Sequence, residues 1–470
     1  MKQTFITGFI LCFFLAVLSF TTSAQEYKYD LNKYYTPDIL RNQLDLSFST
    51  NNSVSNSSTK VDTIRSTYST SFGGLIIPNF VTYTNTRQRV SQLQINGQFT
   101  GNYSAGGVIN QSNSSKISHT NDYLNLSYTS RFYNSSNKYL LLGISSNFQA
   151  TLGNNTSVTN SISSKNYDNQ FILNINPTIG VGVGRIESVE DARQAIYILD
   201  DLSKRGVLTR HLDNVEIFQL SQLISRVKNK RFLDSRLHLM DEITSVDSFF
   251  VSNKLLDKSG TPYFTSLYDN WQYGALYSRK SGQSFEISFS PSLNWNYTKS
   301  NPTDSLAQNM TNQNRLNGSL TLTYTYEKPV NLNWQHSVLA TLYGYYNTNN
   351  YKYQYVSHLY DGSNRNIFSG ANFLGSYTLG YYPNTRTYFT ASISQNFQLT
   401  DTKYFSPNWN VFDKQFSSNS DIQFNAYYYL SPQLRLSVGA SLGNNYLNYY
   451  SSSNNYLYGG FSGGISYSFF

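Results

Sequence analysis

The stretch LNGSLTLTYTY, residues 316–326, alternates apolar and polar side chains with a period of two. Leucine and tyrosine occupy even positions, with Gly318 in the same register, while asparagine, serine and threonine occupy the odd ones. Successive side chains of an extended chain point to opposite sides, so the pattern predicts a β-strand with one apolar and one polar face. The polar face is small and neutral, whereas strands of soluble sandwiches usually carry lysine and glutamate there. We therefore expect the two faces to meet different surroundings.

The same alternation recurs along the chain, most clearly in 422–430 and 434–443. The second predicted strand is the least regular, because Pro78 and the apolar run Leu75–Ile77 interrupt it. About fourteen strands are predicted, with twelve or sixteen as alternatives, near 42–50, 70–84, 90–103, 118–132, 138–151, 166–183, 283–298, 314–327, 332–347, 366–382, 385–401, 416–430, 433–449 and 456–470.

Composition supports a large β protein and excludes several other classes. The chain of 470 residues has 16% aromatic residues, including 41 tyrosines, but only 13% charged residues. An average soluble domain has about 25% charged residues, so an ordinary soluble enzyme is disfavoured. A mean hydropathy of −0.42 excludes a helical membrane protein. The aromatic content excludes a disordered chain.

Residues 1–24 are predicted to be a secretory signal peptide. A positive residue, an apolar run and a small-residue cleavage site ending at Ala24 follow one another there. Residues 25–41 then form a lead to the first strand. The single cysteine, Cys12, lies within the signal, so the mature chain is expected to lack disulfide and thiol chemistry. No other stretch approaches about 18 apolar residues, which predicts an exported protein without a helical anchor.

In lipid, every backbone N–H and C=O must bond within the protein, and only helices and closed barrels achieve this. Because membrane helices are excluded, the strands predict an all-β transmembrane barrel with an inserted helical segment. The predicted connections alternate in length after odd and even strands. They are long polar loops such as 51–60, 154–166 and 347–366, and short turns at 85–88, 134–137, 328–331, 383–386 and 431–432. Outer-membrane barrels have short periplasmic turns, so both chain ends are expected in the periplasm.

The end of the chain resembles the terminal strand of bacterial outer-membrane proteins. Phe461, Ile465, Tyr467 and Phe469 alternate with small residues, and Phe470 ends the chain one position out of register. This resemblance implies an integral protein of the outer membrane of a Gram-negative bacterium, inserted by the barrel-assembly machinery. It also implies contact with outer-membrane lipid and lipopolysaccharide. The resemblance is to the class of outer-membrane β-barrels as a whole.

Residues 185–260 break the strand pattern and form a predicted helical insert between strands 1–6 (42–184) and the connector with strands 7–14 (261–470). The insert holds twelve basic and twelve acidic residues. It follows the sixth strand, an even one, so it is expected in the periplasm. Two interpretations stay open: a structural cap on the barrel, or a docking module for a periplasmic protein partner, with the basic residues Lys228, Lys230 and Arg231 exposed.

Three amphipathic helices are predicted within the insert, because its apolar residues recur at helical spacing. Ser188 and Gly206 are the predicted N-cap and C′ residues of the first helix. Asp213 with Glu216 forms a capping box for the second. A third is predicted from about Phe232 to Phe250.

No catalytic, cofactor or metal site is predicted. Gly180, Gly182 and Gly184 precede a helix, but the third glycine of a dinucleotide fingerprint and its βαβ unit are absent. These glycines share the polar face of strand six, where they are expected to relieve crowding or mark a bend. The five histidines form no HExxH pattern, and the pairs His336-Ser337 and His119-Thr120 do not match the outer-membrane phospholipase pattern. Basic residues form no stripe, so nucleic acid is not an expected partner.

The polar faces are expected to line the interior of the barrel. Porins discriminate ions through rings of charge, whereas this interior is rich in asparagine, glutamine, serine, threonine and tyrosine. The sequence therefore predicts a porin-like passive channel for small neutral polar solutes. Two alternatives stay open: a structural or assembly component whose insert docks a partner, and an outer-membrane hydrolase with a spatially assembled site. The few charged residues expected in the interior are Asp45, Arg131, Glu286 and Arg435.

Overall fold

The computed structural model describes residues 29–61, 63–109, 113–230, 239–256, 260–273, 279–302, 309–355, 361–406, 409–431, 433–449 and 452–467. In this part of the chain, fourteen strands form one antiparallel sheet in which each strand pairs with its neighbours in sequence. The strands are β1 (Ile39–Val61), β2 (Thr63–Asn85), β3 (Arg89–Val108), β4 (Ser114–Tyr133), β5 (Lys138–Thr159), β6 (Ile162–Ser188), β7 (Lys280–Pro302), β8 (Asn309–Pro329), β9 (Trp334–Tyr355), β10 (Asp361–Tyr381), β11 (Thr387–Ser406), β12 (Trp409–Tyr429), β13 (Leu434–Asn448) and β14 (Ser453–Tyr467).

The number, direction and order of the strands confirm the prediction, and each predicted segment overlaps one strand. The irregular β2 is present, but its ladder with β3 passes from Ile76 to Asn79 without pairing the two residues between them, one of which is Pro78. Proline has no N–H to donate to a ladder, which explains the gap. Large apolar side chains of the strands are exposed, as shown by Leu316 at 57% and Leu320 at 48%. The sheet therefore presents its apolar face outward.

The predicted long polar loops are wrong, because their residues extend the strands instead. β1 continues through 51–60 and stays paired with β2 to the end of the hairpin. Small polar side chains bond across this extension, Ser53 Oγ lying 2.7 Å from Ser71 Oγ. Strands likewise include most of 154–166 and 347–366. The turns after the even strands are short, as predicted.

The described part of the insert contains four helices, α1 (Glu190–Lys204), α2 (Asn214–Asn229), α3 (Leu239–Ser252) and α4 (Thr261–Tyr273). The first three confirm the prediction, although 231–238, where the third helix was expected to begin, lies outside the described residues. Helix α4 was not predicted, and it extends the insert beyond residue 260. Its buried Tyr263, Leu267 and Trp271 recur every four residues, a helical signal obscured by the many aromatic and β-branched residues around them.

The helix ends follow the predicted signals except at the first one. The residue before α1 is Val189, which makes no side-chain cap, so the assignment of Ser188 as N-cap is wrong. Ser188 instead continues β6 and pairs with Lys280. Gly206 has a φ of +63° and ends α1 as predicted. Asp213 and Glu216 form the predicted capping box of α2.

Among the described residues, the main cluster of buried apolar side chains lies in the insert. Side chains from all four helices pack together, including Leu199, Leu220 and Phe250, none of which is exposed. The lead before β1 joins this core, because Leu31 and Tyr34 are only 2% exposed among the helices. Residues 1–28, including the predicted signal peptide, lie outside the described residues. None of the described helices is long and apolar enough to cross a membrane.

Two glycines shape the strands where the chain enters and leaves the insert. Gly184 in β6 has a φ of +96°, and Gly282 in β7 has a φ of +121°. A Cβ at either position would lie about 2 Å from a carbonyl oxygen of the other strand. Side chains are therefore excluded at this point, which agrees with the expectation that glycine relieves crowding where the chain enters the insert.

Candidate functional site

The insert covers one end of the sheet, where it contacts the turns between strands. At β1 and β2, the ring of Tyr35 packs on Phe218 of α2 with 4.9 Å between centroids. The Arg87 guanidinium, in the β2–β3 turn, lies 3.9 Å from the Tyr35 ring and 3.0 Å from the Glu187 carboxylate. These contacts attach the lead and the start of the insert to the first strands.

A buried arginine attaches the insert to the β8–β9 turn. Arg279, just before β7, is fully buried. Its Nη2 donates to the carbonyls of Asn331 and Trp334 at 2.8 Å each, its Nη1 donates to the Leu332 carbonyl, and its Nε donates to Gln335 Oε1 at 2.8 Å. One side chain thus binds a whole turn to the junction of insert and sheet.

The insert also reaches the β10–β11 turn on the far side. Arg386 Nη2 donates to Asp269 Oδ1 of α4 at 2.7 Å, and its guanidinium lies 4.0 Å from the Tyr273 ring. Tyr197 of α1 donates to the Tyr382 carbonyl at 3.5 Å. Neither Arg279 nor Arg386 was predicted as functional, because nothing in the local sequence indicates which distant turn an arginine will meet.

These contacts show that the sheet curves around the insert. In a flat sheet, β1 and β11 would lie about 48 Å apart at roughly 4.8 Å per strand. Four packed helices of about 10 Å diameter form a body only about 20 Å across. The insert nevertheless touches the ends of both strands through Tyr35 and Arg386. Among the described residues no ladder joins β1 to β14.

Two of the predicted interior charges meet on the polar face. Arg131 Nε of β4 donates to Glu286 Oε2 of β7 at 3.0 Å. Tyr139 of β5 donates to the same carboxylate oxygen at 3.0 Å, and its ring lies 5.7 Å from the Arg131 guanidinium. The three side chains lie on β4, β5 and β7, so the cluster reaches across β6 as well. The positive charge of Arg131 and the negative charge of Glu286 offset each other.

The other two predicted interior charges lie away from this cluster. Asp45 on β1 accepts hydrogen bonds from Gln43 Nε2 at 2.9 Å and from Asn79 Nδ2 at 3.4 Å. Arg435 on β13 places its guanidinium 5.3 Å from the Tyr427 ring. The four residues therefore do not form one ring of charge.

Gly182 makes the Arg131–Tyr139–Glu286 cluster possible, and we predict that Gly182→Ala disrupts it. A Cβ at Gly182 would lie 2.2 Å from the Tyr139 ring, so the ring must move away from Glu286. Overpacking of this kind costs about 1–3 kcal/mol, and we expect that loss of stability in chemical unfolding of the refolded protein. Gly101→Ala is the matched control, because a Cβ there would have nothing within 4 Å. Equal stability of the two variants would contradict the prediction.

A cavity of about 820 Å³ lies between the insert and the polar face of β1, β2 and β6. Asp45 and Lys228, predicted separately for the interior and for docking, both line it. Lys228 Nζ donates to Asp191 Oδ1 of α1 at 3.0 Å, and both side chains are mostly buried. The expectation that Lys228 is exposed is therefore wrong, because it lies on the side of α2 that faces α1. Lys230 is exposed at the end of α2, and Arg231 lies outside the described residues.

The predicted assembly signal lies on the last strand. Phe461 and Ile465 are 77% and 76% exposed on the apolar face of β14, and Tyr467 is also exposed. Phe469 and Phe470 lie outside the described residues. The described part of the signal therefore lies on the last strand, with its apolar side chains exposed.

Two buried tyrosines, one in the lead and one in the insert, have pKa values shifted upward. Burial, reinforced by the nearby Asp191 charge, raises the pKa of Tyr34 well above its usual value. Burial and a hydrogen bond to Asp247 raise the pKa of Tyr263 in the same direction. A group whose pKa is raised on folding stabilises the fold below its unfolded pKa, here about 10, and that contribution is lost as the pH rises further.

We therefore predict that the helical circular dichroism signal of the insert falls as the pH rises above about 10. The double variant Tyr34→Phe, Tyr263→Phe should keep this signal to higher pH, because it has no phenol to ionise at these positions. Tyr268→Phe, which changes an exposed ring on α4, is the control and should behave like the parent. The same alkaline midpoint in all three proteins would refute the assignment.

Comparison with known proteins identifies no family for this chain. No family model and no curated protein match it. Among solved structures it is similar to the transport unit of the autotransporter AIDA-I from Escherichia coli (8% identity, 95% of each chain, TM-score 0.20). It is also similar to a bacterial polysaccharide outer membrane secretin, with 8% identity, coverage of 93% of this chain and 100% of that chain, and a TM-score of 0.20. A third similar structure is the outer membrane protein opdK from Pseudomonas aeruginosa, with 9% identity, coverage of 92% of this chain and 99% of that chain, and a TM-score of 0.16. TM-scores this low carry no argument, so the description of the fold rests on strand pairing.

Proposed function

We propose that this protein is an outer-membrane, porin-like passive channel for small neutral polar solutes. The supporting observation is the arrangement of the sheet, which exposes its apolar face and curves its polar face around the insert. An exposed apolar band suits lipid, and an enclosed polar face suits water and polar solutes. A passive channel needs no catalytic group, so the proposal includes no enzymatic activity, cofactor or metal.

The chemistry of the polar face supports neutral solutes. The charges of Arg131 and Glu286 are paired, while the Asp45 carboxylate accepts amide hydrogen bonds and the Arg435 guanidinium lies near the Tyr427 ring. Most other side chains on this face are amides, hydroxyls and tyrosines, which bond polar groups without preference for the sign of a charge. Such a surface favours uncharged polar solutes over ions of either sign.

Planar-bilayer recording of the refolded mature chain tests the proposal. We expect open-channel steps in potassium chloride, with little preference between potassium and chloride. Proteoliposomes that contain the protein should also swell in isosmotic solutions of neutral sugars, because the sugars enter through the channel. Recordings without steps from both the full mature chain and a variant lacking the insert, together with no swelling, would overturn the channel function.

Location and orientation have their own test, because the mature chain has no natural cysteine. Ser57→Cys lies in the β1–β2 hairpin and Asn333→Cys in the β8–β9 turn, at opposite ends of the sheet. The proposal places the hairpin outside the cell and the turn in the periplasm. A membrane-impermeant maleimide should label only Ser57→Cys on intact cells and both variants after lysis. Labelling of Asn333→Cys alone on intact cells would reverse the orientation.

A second candidate function is a structural or assembly component whose insert docks a periplasmic partner. The favouring observation is the exposed apolar side chains on α3 and α4, with Met240 at 60%, Val251 at 59% and Phe264 at 45%. A photo-crosslinking residue at Phe264 should then capture one specific protein in cells, and the same residue at the exposed Arg226 should not. No crosslink at Phe264 would favour the channel alone.

A further inference from the structure

Four asparagines on consecutive strands form a bonded row across the polar face. Asn125, Asn147, Asn174 and Asn294 lie on β4, β5, β6 and β7, and each is the direct ladder partner of the next. Asn174 Nδ2 donates to Asn147 Oδ1 at 3.4 Å. Asn294 donates to Asn174, and Asn147 donates to Asn125, in the same way. We call these four residues the amide row.

The register continues the row in both directions. Toward β1, Asn125 pairs with Asn96, Asn96 with Asn79, and Asn79 with Asp45. Toward β8, Asn294 pairs with Arg315. Because ladder partners lie side by side, the row runs straight across the strands, perpendicular to them. In a curved sheet such a line follows the wall around the interior.

The hydrogen bonds of the row all point the same way. Each donated N–H is directed toward the lower-numbered strand, and Asn79 likewise donates to the Asp45 carboxylate at 3.4 Å. Hydrogen bonds aligned in a chain polarise and strengthen one another. The bonded chain runs from Asn294 to Asn125. Beyond it, the ladder register, and not the chain of bonds, leads to the Asp45 carboxylate, and Arg315 is the ladder partner of Asn294 at the other end.

The amides of the row keep bonding capacity for a ligand. An asparagine side chain has two N–H donors and an oxygen with two lone pairs. The bonds along the row use one donor and one lone pair of each central residue, so a donor and a lone pair are left on each. None of the four side chains is fully buried. Water or a solute on the polar side can therefore bond them.

We propose that the amide row is the part of the channel wall that selects the solute, and that the preferred class is neutral polyhydroxylated molecules such as oligosaccharides. This inference rests on the proposed channel function. A hydroxyl group can donate one hydrogen bond and accept others, so it matches both the remaining N–H donors and the remaining oxygen lone pairs of the row. A simple cation binds only the lone pairs, and a simple anion binds only the N–H donors. Four strands span about 14 Å, a length suited to a short oligosaccharide lying along the row.

The test compares the parent with Asn147→Leu, Asn174→Leu, a double variant that keeps side-chain shape and removes both central amides. Asn425→Leu, on the polar face of β12 and outside the row, is the matched control. Maltotriose is the probe, added during planar-bilayer recording in potassium chloride. We expect maltotriose to block the parent and the control, and to block the double variant on the order of tenfold less strongly, since each lost hydrogen bond weakens binding several-fold. Salt conductance should stay the same.

Each result separates the inference from the channel function. Normal conductance with equal block in all three proteins would overturn the amide row and leave the channel. If no protein conducts, the channel function fails, and calorimetric titration of maltotriose into the refolded proteins then tests the row directly. Binding lost only in the double variant would support the row, and absence of binding to the parent would overturn it. If the leucine variant does not fold, Asn147→Ser, Asn174→Ser provides a polar replacement that shortens the side chains and should weaken the block in the same direction.

Discussion

Removing the insert is expected to turn small or rare conductance steps into large and steady ones. In the variant, an Asn-Gly turn replaces residues 189–279, which include all four helices. Ser188 and Lys280 are direct partners in the β6–β7 ladder, so a two-residue turn can join them without moving either strand. The physical reason for the increase is that the insert lies across the end of the sheet. It contacts the ends of β1 and β11 together, and the path along the polar face must pass it.

The insert deletion needs one compensation and two controls. Leu31 and Tyr34 lose their apolar surroundings when the helices are removed, so the variant also carries Leu31→Ser and Tyr34→Ser. A protein with only these two substitutions shows what they do alone. Heat-dependent mobility in gel electrophoresis shows whether the fourteen-stranded sheet has folded in each variant. A folded deletion variant with unchanged conductance would mean that the insert does not obstruct the pore.

Arg279→Ala is expected to cause the largest loss of stability from a single substitution. The guanidinium is fully buried, and its removal leaves the carbonyls of Asn331, Leu332 and Trp334 without this donor. Breaking a buried, charged set of hydrogen bonds typically costs about 3–5 kcal/mol. Chemical unfolding followed by the helical circular dichroism signal should show this loss in the insert.

Two other variants make the result specific to the geometry of Arg279. Arg279→Lys keeps the charge but cannot donate to several carbonyls through a planar fork, so we expect it to recover only part of the stability. Arg226→Ala removes an exposed arginine from α2 and should change stability little. A loss for Arg279→Ala no larger than that for Arg226→Ala would contradict the assigned role.

The strand pattern was predictable because alternation is a local property. A strand with lipid on one side and water on the other repeats the same choice every two residues, as 316–326 shows. The caps at Gly206 and Asp213 were predictable for the same reason, since each depends on a few neighbouring residues. The polar loops were mistaken because serine, threonine and asparagine suit an exposed loop and an exposed strand equally well. Only pairing with a neighbour distinguishes the two.

The site was predictable in residue type but not in arrangement. Arg131 and Glu286 were both expected inside, yet their ion pair joins residues 155 positions apart. The exposure expected for Lys228 failed because a basic run does not reveal which side of its helix packs on another. Helix α4 was missed because aromatic and β-branched residues weaken its helical pattern.

Residue spacing alone was enough to establish strands with two unlike faces, an inserted helical segment and a nearly neutral polar face. Those features depend on residues that are close together in the chain, so the order and type of those residues are enough to predict them. The amide row, the contacts of Arg279 and the position of the insert across the sheet depend on register instead. The register of the β5–β6 hairpin brings Asn147 beside Asn174. The registers of β7 with β8 and of β8 with β9 bring the β8–β9 turn beside Arg279. A shift of one residue in any strand would turn its side chains to the other face, so these partnerships exist only in the assembled sheet.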